Sequence, residues 1–345
     1  KRQGLDPDRN TIQMDIFPTN IIDNVIVVKS AAAEYPADFT GGVVDIITKD
    51  FPNKAEYSIS VGAGYNPDMH FNDDFLEYDG SSTDFLGFDN DYRNRPIHRY
   101  QPIPSTASTT DVLTRLTDSF EKQLRANTNT SNPDFNIGFT AGNQYDVGDN
   151  KFGYQVSLSY RNETRFYKDR IDDNWSKDLN DVNRTELDPT RRSLGDEAIN
   201  NILANGLAGL TLKTGFSKYK ANVLHIQNGE STAALYRQTV FEGGGGSGAA
   251  SSTRDALLYT QRSITNGLLT GKHSFSEDSK WGLEWKFSPT LTTVYDKDHR
   301  VTPLRIADNG NLFISPNAIG SPLRIWRNLT EESWAGKLDL DKRYD

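Results

Sequence analysis

From Phe152 to Arg161 the chain alternates without a break, with Phe152, Tyr154, Val156, Leu158 and Tyr160 on one side and Gly153, Gln155, Ser157, Ser159 and Arg161 on the other. A two-residue period is the signature of a strand, whose successive side chains point to opposite faces. The composition of the second face narrows the choice further. In a soluble sandwich that face meets water and gathers Lys and Glu, whereas here it is mostly Gly, Ser and Gln. Lipid on one side and a polar lumen on the other would produce this pattern.

The same design recurs along the chain. Phe135, Ile137, Phe139, Ala141 and Tyr145 alternate with polar or small residues, and Gly148-Asp149-Asn150 then supplies turn chemistry, so a hairpin is predicted. Tyr57, Ile59, Val61, Ala63 and Tyr65 form an earlier strand, and Trp281, Leu283, Trp285, Phe287 and Leu291 a later one. Trp334, Leu338 and Leu340 mark a last one, and looser strands fit residues 206–216, 220–228 and 257–275. Together they give about eight strands on the period-2 template. Tyr65, Tyr145, Tyr160, Phe166, Trp281, Tyr295 and Trp334 lie near strand ends, where interfacial girdles form. Aromatic packing inside a β-sandwich is the competing reading.

The connections alternate too. Short turns are expected at 147–151, 217–219 and 276–280, and long loops at 66–133, 166–205, 229–255 and 297–331, the asymmetry of outer-membrane barrels. The first of these loops carries a helix candidate beginning at Thr110 and Asp111, with Val112, Leu113, Leu116, Phe120 and Leu124 on one stripe. Ahead of the strands, residues 21–28 and 42–48 form two β-branched runs around an Ala-rich turn, the outline of a small α/β unit.

Composition excludes several classes. Hydrophobic residues make up 35% of the chain, and no run approaches the roughly 18 apolar residues that a spanning helix requires. A net charge of −9 argues against nucleic-acid binding. With no cysteine there is no disulfide framework or thiol chemistry. The chain opens without an initiator Met or signal peptide and stops after a strand-like run at Lys342-Arg343-Tyr344-Asp345, so it is expected to be an internal fragment.

The stretch from Asp6-Pro7-Asp8-Arg9 to Pro52, with its strand, Ala-rich turn, Gly41-Gly42 pair and second strand, resembles the end of the plug domain of TonB-dependent outer-membrane receptors. The resemblance is to the Bacteroidota type, which carries a carboxypeptidase-regulatory-like domain upstream, and residues 71–90 are similar to a segment that such receptors carry after their first barrel strand. It implies a mainly β fold: a transmembrane antiparallel β-barrel of about 22 strands, of which 53–345 would be the N-terminal part, preceded by residues 1–52 as the C-terminal part of an α/β plug. It also implies energised uptake of a bulky nutrient (a glycan, peptide, siderophore or similar) in the outer membrane, by a protein that is not an enzyme. The partners it implies are a TonB complex reached through a missing N-terminal segment, outer-membrane lipid, and a surface lipoprotein lid. A membrane scaffold without transport is the alternative, and a secreted β-sandwich adhesin a third reading.

Individual residues carry less. Gly41 and Gly42 read as a structural turn. Asp6 and Asp8 are too few for a hard cation, and Asn72, Asp73, Asp74, Glu77 and Asp79 read as a solvated loop face in preference to a calcium site. The five histidines lack metal-ligand spacing, so no metal or other cofactor is expected. The glycines of 243–248 lack P-loop context and read as a flexible loop, and there is no nucleophile elbow. Tyr167, Trp175, Tyr236, Phe241 and Trp326 are candidates for ligand contact on long loops, with Trp175, Tyr236 and Trp326 foremost.

Overall fold

The computed structural model describes residues 22–30, 42–48, 52, 54–102, 110–177, 183, 185–241, 249–276 and 280–343. The fold is mainly β. Strands β1 (Ile22–Val28) and β2 (Val43–Thr48) pair antiparallel as a separate two-stranded sheet, in keeping with the two β-branched runs. Gly42 directly precedes β2; Gly41 and the Ala-rich turn lie outside the described residues.

The large sheet begins at β3 (Glu56–Gly64). The chain then departs into an insert holding β4 (Phe75–Glu77), a 3-10 turn at Asp84–Leu86, helix α1 (Thr110–Asp118) and β5 (Asn127–Asn129), with β4 and β5 paired. It returns as β6 (Asp134–Val147), β7 (Asn150–Ile171), the short β8 (Asn174–Lys177), β9 (Leu187–Lys213) and β10 (Ser217–Phe241). After these come β11 (Ala249–Ser274), β12 (Trp281–Ile306), the short β13 (Leu312–Phe313), helix α2 (Pro316–Ile319) and β14 (Leu323–Lys342). The long strands β3, β6, β7, β9, β10, β11, β12 and β14 follow one another as an antiparallel meander, matching the expected strand number. The sheet is open, with β3 at one edge and β13 and β14, both paired with β12, at the other.

Local chemistry explains the turns. The predicted hairpin forms with Val147 opposite Asn150, and Gly148 takes φ +62°, a left-handed value suited to glycine at the first central position of a two-residue turn. The next turn sits at 214–216 instead of 217–219. There Thr214 N–H donates to the Ser217 carbonyl at 2.7 Å, and Ser217 N–H donates to Thr214 Oγ1 at 3.1 Å.

Strand length is the main correction. Most of the loops expected at 166–205, 229–255 and 297–331 are strand, because β7 continues to Ile171, β9 starts at Leu187, β10 reaches Phe241 and β12 reaches Ile306. The apolar period fades past Tyr160, yet the ladder runs on, because backbone hydrogen bonds need no apolar side chain. At about 3.4 Å per residue, 27-residue β9 is roughly 90 Å long, about two to three times what a membrane-crossing strand needs.

The region 66–133 is likewise no plain loop. Phe75 and Leu76 of β4 are buried against Phe166, Ala198, Ala233 and Leu257 of β7, β9, β10 and β11, which docks the insert on one face of the sheet. Phe166, 3% exposed, is therefore a core residue and not part of an interfacial girdle. Helix α1 forms at the predicted start but ends at Asp118, so Phe120 and Leu124 of the proposed stripe lie beyond it.

Backbones touch where the insert crosses β10. A Cβ on Gly229 would lie 2.6 Å from Gly87 Cα and 2.7 Å from the Tyr259 hydroxyl. Gly229→Ala is therefore expected to lower stability by about 1–3 kcal/mol through overpacking, and urea unfolding would measure it. A shift within noise would show that the contact yields freely.

Candidate functional site

Register defines two faces with opposite chemistry. On one, the aligned row Val61, Ile137, Tyr160, Ala204 and Gln227 passes from β3 to β10, and the neighbouring rows are richly apolar toward the short turns. Many of these side chains are bare: Ile59 is 73% exposed, Val61 77%, Trp334 69% and Leu338 73%. Patches of this size mark a contact surface, since water penalises them. From Phe152 to Tyr160 the band measures roughly 27 Å along the strand at about 3.4 Å per residue, comparable to a barrel's lipid-facing band.

The other face carries a polar row across six neighbouring strands: Glu163, Asn201, Glu230, Thr260, Asp296 and Arg327, each opposite the next. Its members are tied to one another and to the row beside it. Thr260 Oγ1 donates to Asp296 Oδ1 at 2.9 Å, and Arg327 pairs with the same carboxylate. One row over, Asn228 Nδ2 donates to Asn201 Oδ1 at 2.6 Å and to the Ile202 carbonyl at 2.9 Å, while Arg262 Nη1 donates to Asn228 Oδ1 at 3.0 Å. Arg161 and Arg165 flank Glu163 at 3.4 and 3.5 Å. Such a wall can bind hydrated or hydroxyl-rich solutes, because its groups are held in place yet offer further donors and acceptors.

Two details qualify the expected polar face. Leu203, Ile226 and Val294 form a buried apolar cluster in its middle, with Leu224, Ile264 and Leu329 around them. Pro52 lies against the same face, since a Cβ on Gly142 would meet its ring at 2.9 Å. The chain thus enters β3 from the polar side. Asn228→Ala is expected to cost about 1–3 kcal/mol by leaving Asn201 and Arg262 without their shared partner. Thermal unfolding would read the loss, and an unchanged midpoint would demote the network to ornament.

Above the apolar band the insert is held by a buried cation. The Arg93 side chain is 1% exposed, with Nη1 and Nη2 donating to Asp84 at 2.8 and 2.7 Å, Nη1 to Asp89 at 3.0 Å, and the guanidinium 4.1 Å from the Tyr259 ring centre. Burial alone would disfavour the charge, but the hydrogen bond and field of Asp84, with Tyr78 and Asp89, outweigh it and push Arg93 further above its ordinary value. Strands supply the remaining clasps: Tyr160 Oη donates to the Phe85 carbonyl at 2.7 Å, Gln227 Nε2 to the Gly87 carbonyl at 2.6 Å, and Arg300 Nη1 to the Gln123 carbonyl at 2.8 Å. Below this overhang, Leu86 and Phe88 roof an apolar groove of about 590 Å³ floored by residues of β6, β7 and β9.

The sequence-predicted contact residues are not brought together, and they lie on strands instead of loops. Trp175 sits on β8 with the Arg192 guanidinium 5.1 Å from its ring. Tyr236, on β10, donates its hydroxyl to Glu197 at 2.8 Å. Trp326, on β14, donates its indole N–H to the Arg93 carbonyl at 2.8 Å. Tyr167 and Phe241 belong to β7 and β10. The acidic residues of 72–79 are used separately, Asp73 by Thr130, Asp74 by Lys168 and Glu77 by Asn129. Among the described residues no group of three or more His, Cys, Asp or Glu side chains could hold a metal ion, and no helix is long and apolar enough to cross a membrane. Arg93 and the cross-strand polar row escaped sequence reasoning, because neither leaves a local motif.

The fold and its two faces define a large antiparallel β-sheet protein with one apolar and one polar surface. The chain matches no family model, no curated protein and no solved structure.

Proposed function

We propose that residues 53–345 form part of the wall of an outer-membrane β-barrel, and that the protein is a TonB-dependent transporter taking up a bulky polar nutrient past a plug to which residues 1–52 contribute. One observation carries this reading: an eight-strand meander bears an exposed apolar band on one face and a hydrogen-bonded polar row on the other. Lipid would cover the band and the solute would travel along the polar row. Entry of the chain into β3 from the polar side, at Pro52, agrees with a plug placed there. Outer-membrane fractionation of the intact protein, followed by nutrient uptake with and without an energised TonB system, is the test. Full solubility in buffer would sink the membrane reading. Integration without energy-dependent uptake would favour a membrane scaffold, a role for which the ordered insert on the band-bearing face offers a docking surface.

A further inference from the structure

Beyond the apolar band, where the insert meets β12 and β14, lies a cleft of about 670 Å³. Its walls bring Arg95, His98 and Arg99 of the insert against Lys297 of β12 and Trp326 and Asn328 of β14. No carboxylate among the described residues lines it, in a chain whose net charge is −9. The cations also have no carboxylate partner among the described residues, the Arg99 guanidinium lying 5.0 Å from the Tyr100 ring centre. Arg93, two positions earlier, is consumed by Asp84 and Asp89, whereas Arg95 and Arg99 are exposed and form no ion pair among the described residues. Among the described residues Lys297 reaches only the Asn94 side-chain oxygen at 3.4 Å and the Tyr295 ring at 5.7 Å. Because the indole N–H of Trp326 is spent on the Arg93 carbonyl, that residue contributes ring surface and not a donor to the cleft.

We propose that this cleft binds an anionic sugar, a saccharide bearing a phosphate or carboxylate group. Arg95 and Arg99 suit such an anion, because planar guanidiniums donate two parallel hydrogen bonds to its oxygens. Lys297 adds a point charge, the amide of Asn328 matches sugar hydroxyls, and the Trp326 ring offers an apolar surface to the C–H face of the sugar. The site lies on the face that carries the apolar band, yet past its end: at about 3.4 Å per residue, Trp326 is roughly 27 Å along β14 from Trp334. Two sources of ligand therefore fit, the phosphorylated headgroup of a glycolipid in an adjoining membrane and a free acidic saccharide. Only the choice of source rests on the membrane reading.

The test is titration of the intact purified protein with glucose 1-phosphate, glucose and inorganic phosphate by calorimetry, and flotation with vesicles that do or do not contain a phosphorylated glycolipid. The sugar phosphate is expected to bind at least about tenfold more tightly than glucose or phosphate alone, and less tightly as salt rises. The double substitution Arg95→Gln with Arg99→Gln should weaken it about tenfold or more. Both positions are exposed, so the fold should survive and unchanged thermal unfolding would confirm that it has. Glycolipid-dependent flotation that the double variant loses would support the site and identify a membrane source; binding of the free sugar phosphate alone would support it with a soluble source. Equal binding by the double variant, or equal affinity for phosphate and sugar phosphate, would overturn it. A soluble protein that still binds the sugar phosphate would sink the membrane reading and leave the cleft standing, while a membrane-integrated protein indifferent to every ligand would do the reverse.

Discussion

Replacing Arg93 by alanine is expected to free the insert from the sheet and to lower stability by about 3–5 kcal/mol, the usual result of removing one partner from a buried charge network. The reason is the number of groups that lose their counterpart. Asp84 and Asp89 lose the guanidinium that bridges them, and the Tyr259 ring loses the cation above it. Arg93→Lys should recover little, since one ammonium cannot reproduce the forked contact with both Asp84 oxygens. Urea unfolding would give the magnitude, and limited proteolysis would report whether 65–133 becomes accessible. An insert that stays protected in the alanine variant would assign its docking to the Phe75 and Leu76 core instead.

The second large effect contrasts neighbours on one strand. Ile59, on the apolar face of β3, is 73% exposed, and Ser60 beside it is an exposed residue of the opposite face. If lipid covers the apolar face, Ile59→Arg is expected to destabilise the folded protein by about 2–3 kcal/mol, because its row, shared with Phe139 and Leu158, lies next to the middle of the band, whereas Ser60→Arg should be nearly neutral. If water covers both faces, an exposed Ile→Arg change should stay within about 0.5 kcal/mol. Denaturant unfolding in lipid vesicles, run on both variants, separates the cases. Equal small effects would remove the main support for the membrane proposal.

These two experiments address different levels of the structure, and the sequence was informative about only one of them. Alternation at 57–65, 135–145 and 152–160 located strands and assigned their faces, because a side chain's face depends on its position along its own strand. Gly148 marked its turn for an equally local reason, the need for a positive φ. Strand ends were illegible. Beyond Tyr160 the side chains on β7 no longer alternate between apolar and polar, although pairing with β9 continues to Ile171. Sequence reasoning equates loss of the apolar period with loss of the strand, but the ladder is held by main-chain groups that every residue except proline supplies.

The site was less legible still. Trp326 stood out as a large aromatic, but its role depends on Arg93 and Lys297, which reach it only through the docked insert and the pairing of β12 with β14. The polar row from Glu163 to Arg327 likewise needs five successive strand registers to become a row. By itself the sequence determined that the chain forms amphipathic strands with an apolar and a polar side, since that follows from local periodicity and turn chemistry. Tertiary structure alone decided how far the strands extend, where the insert docks and which charges meet, because each of these is set by contacts between residues distant along the chain.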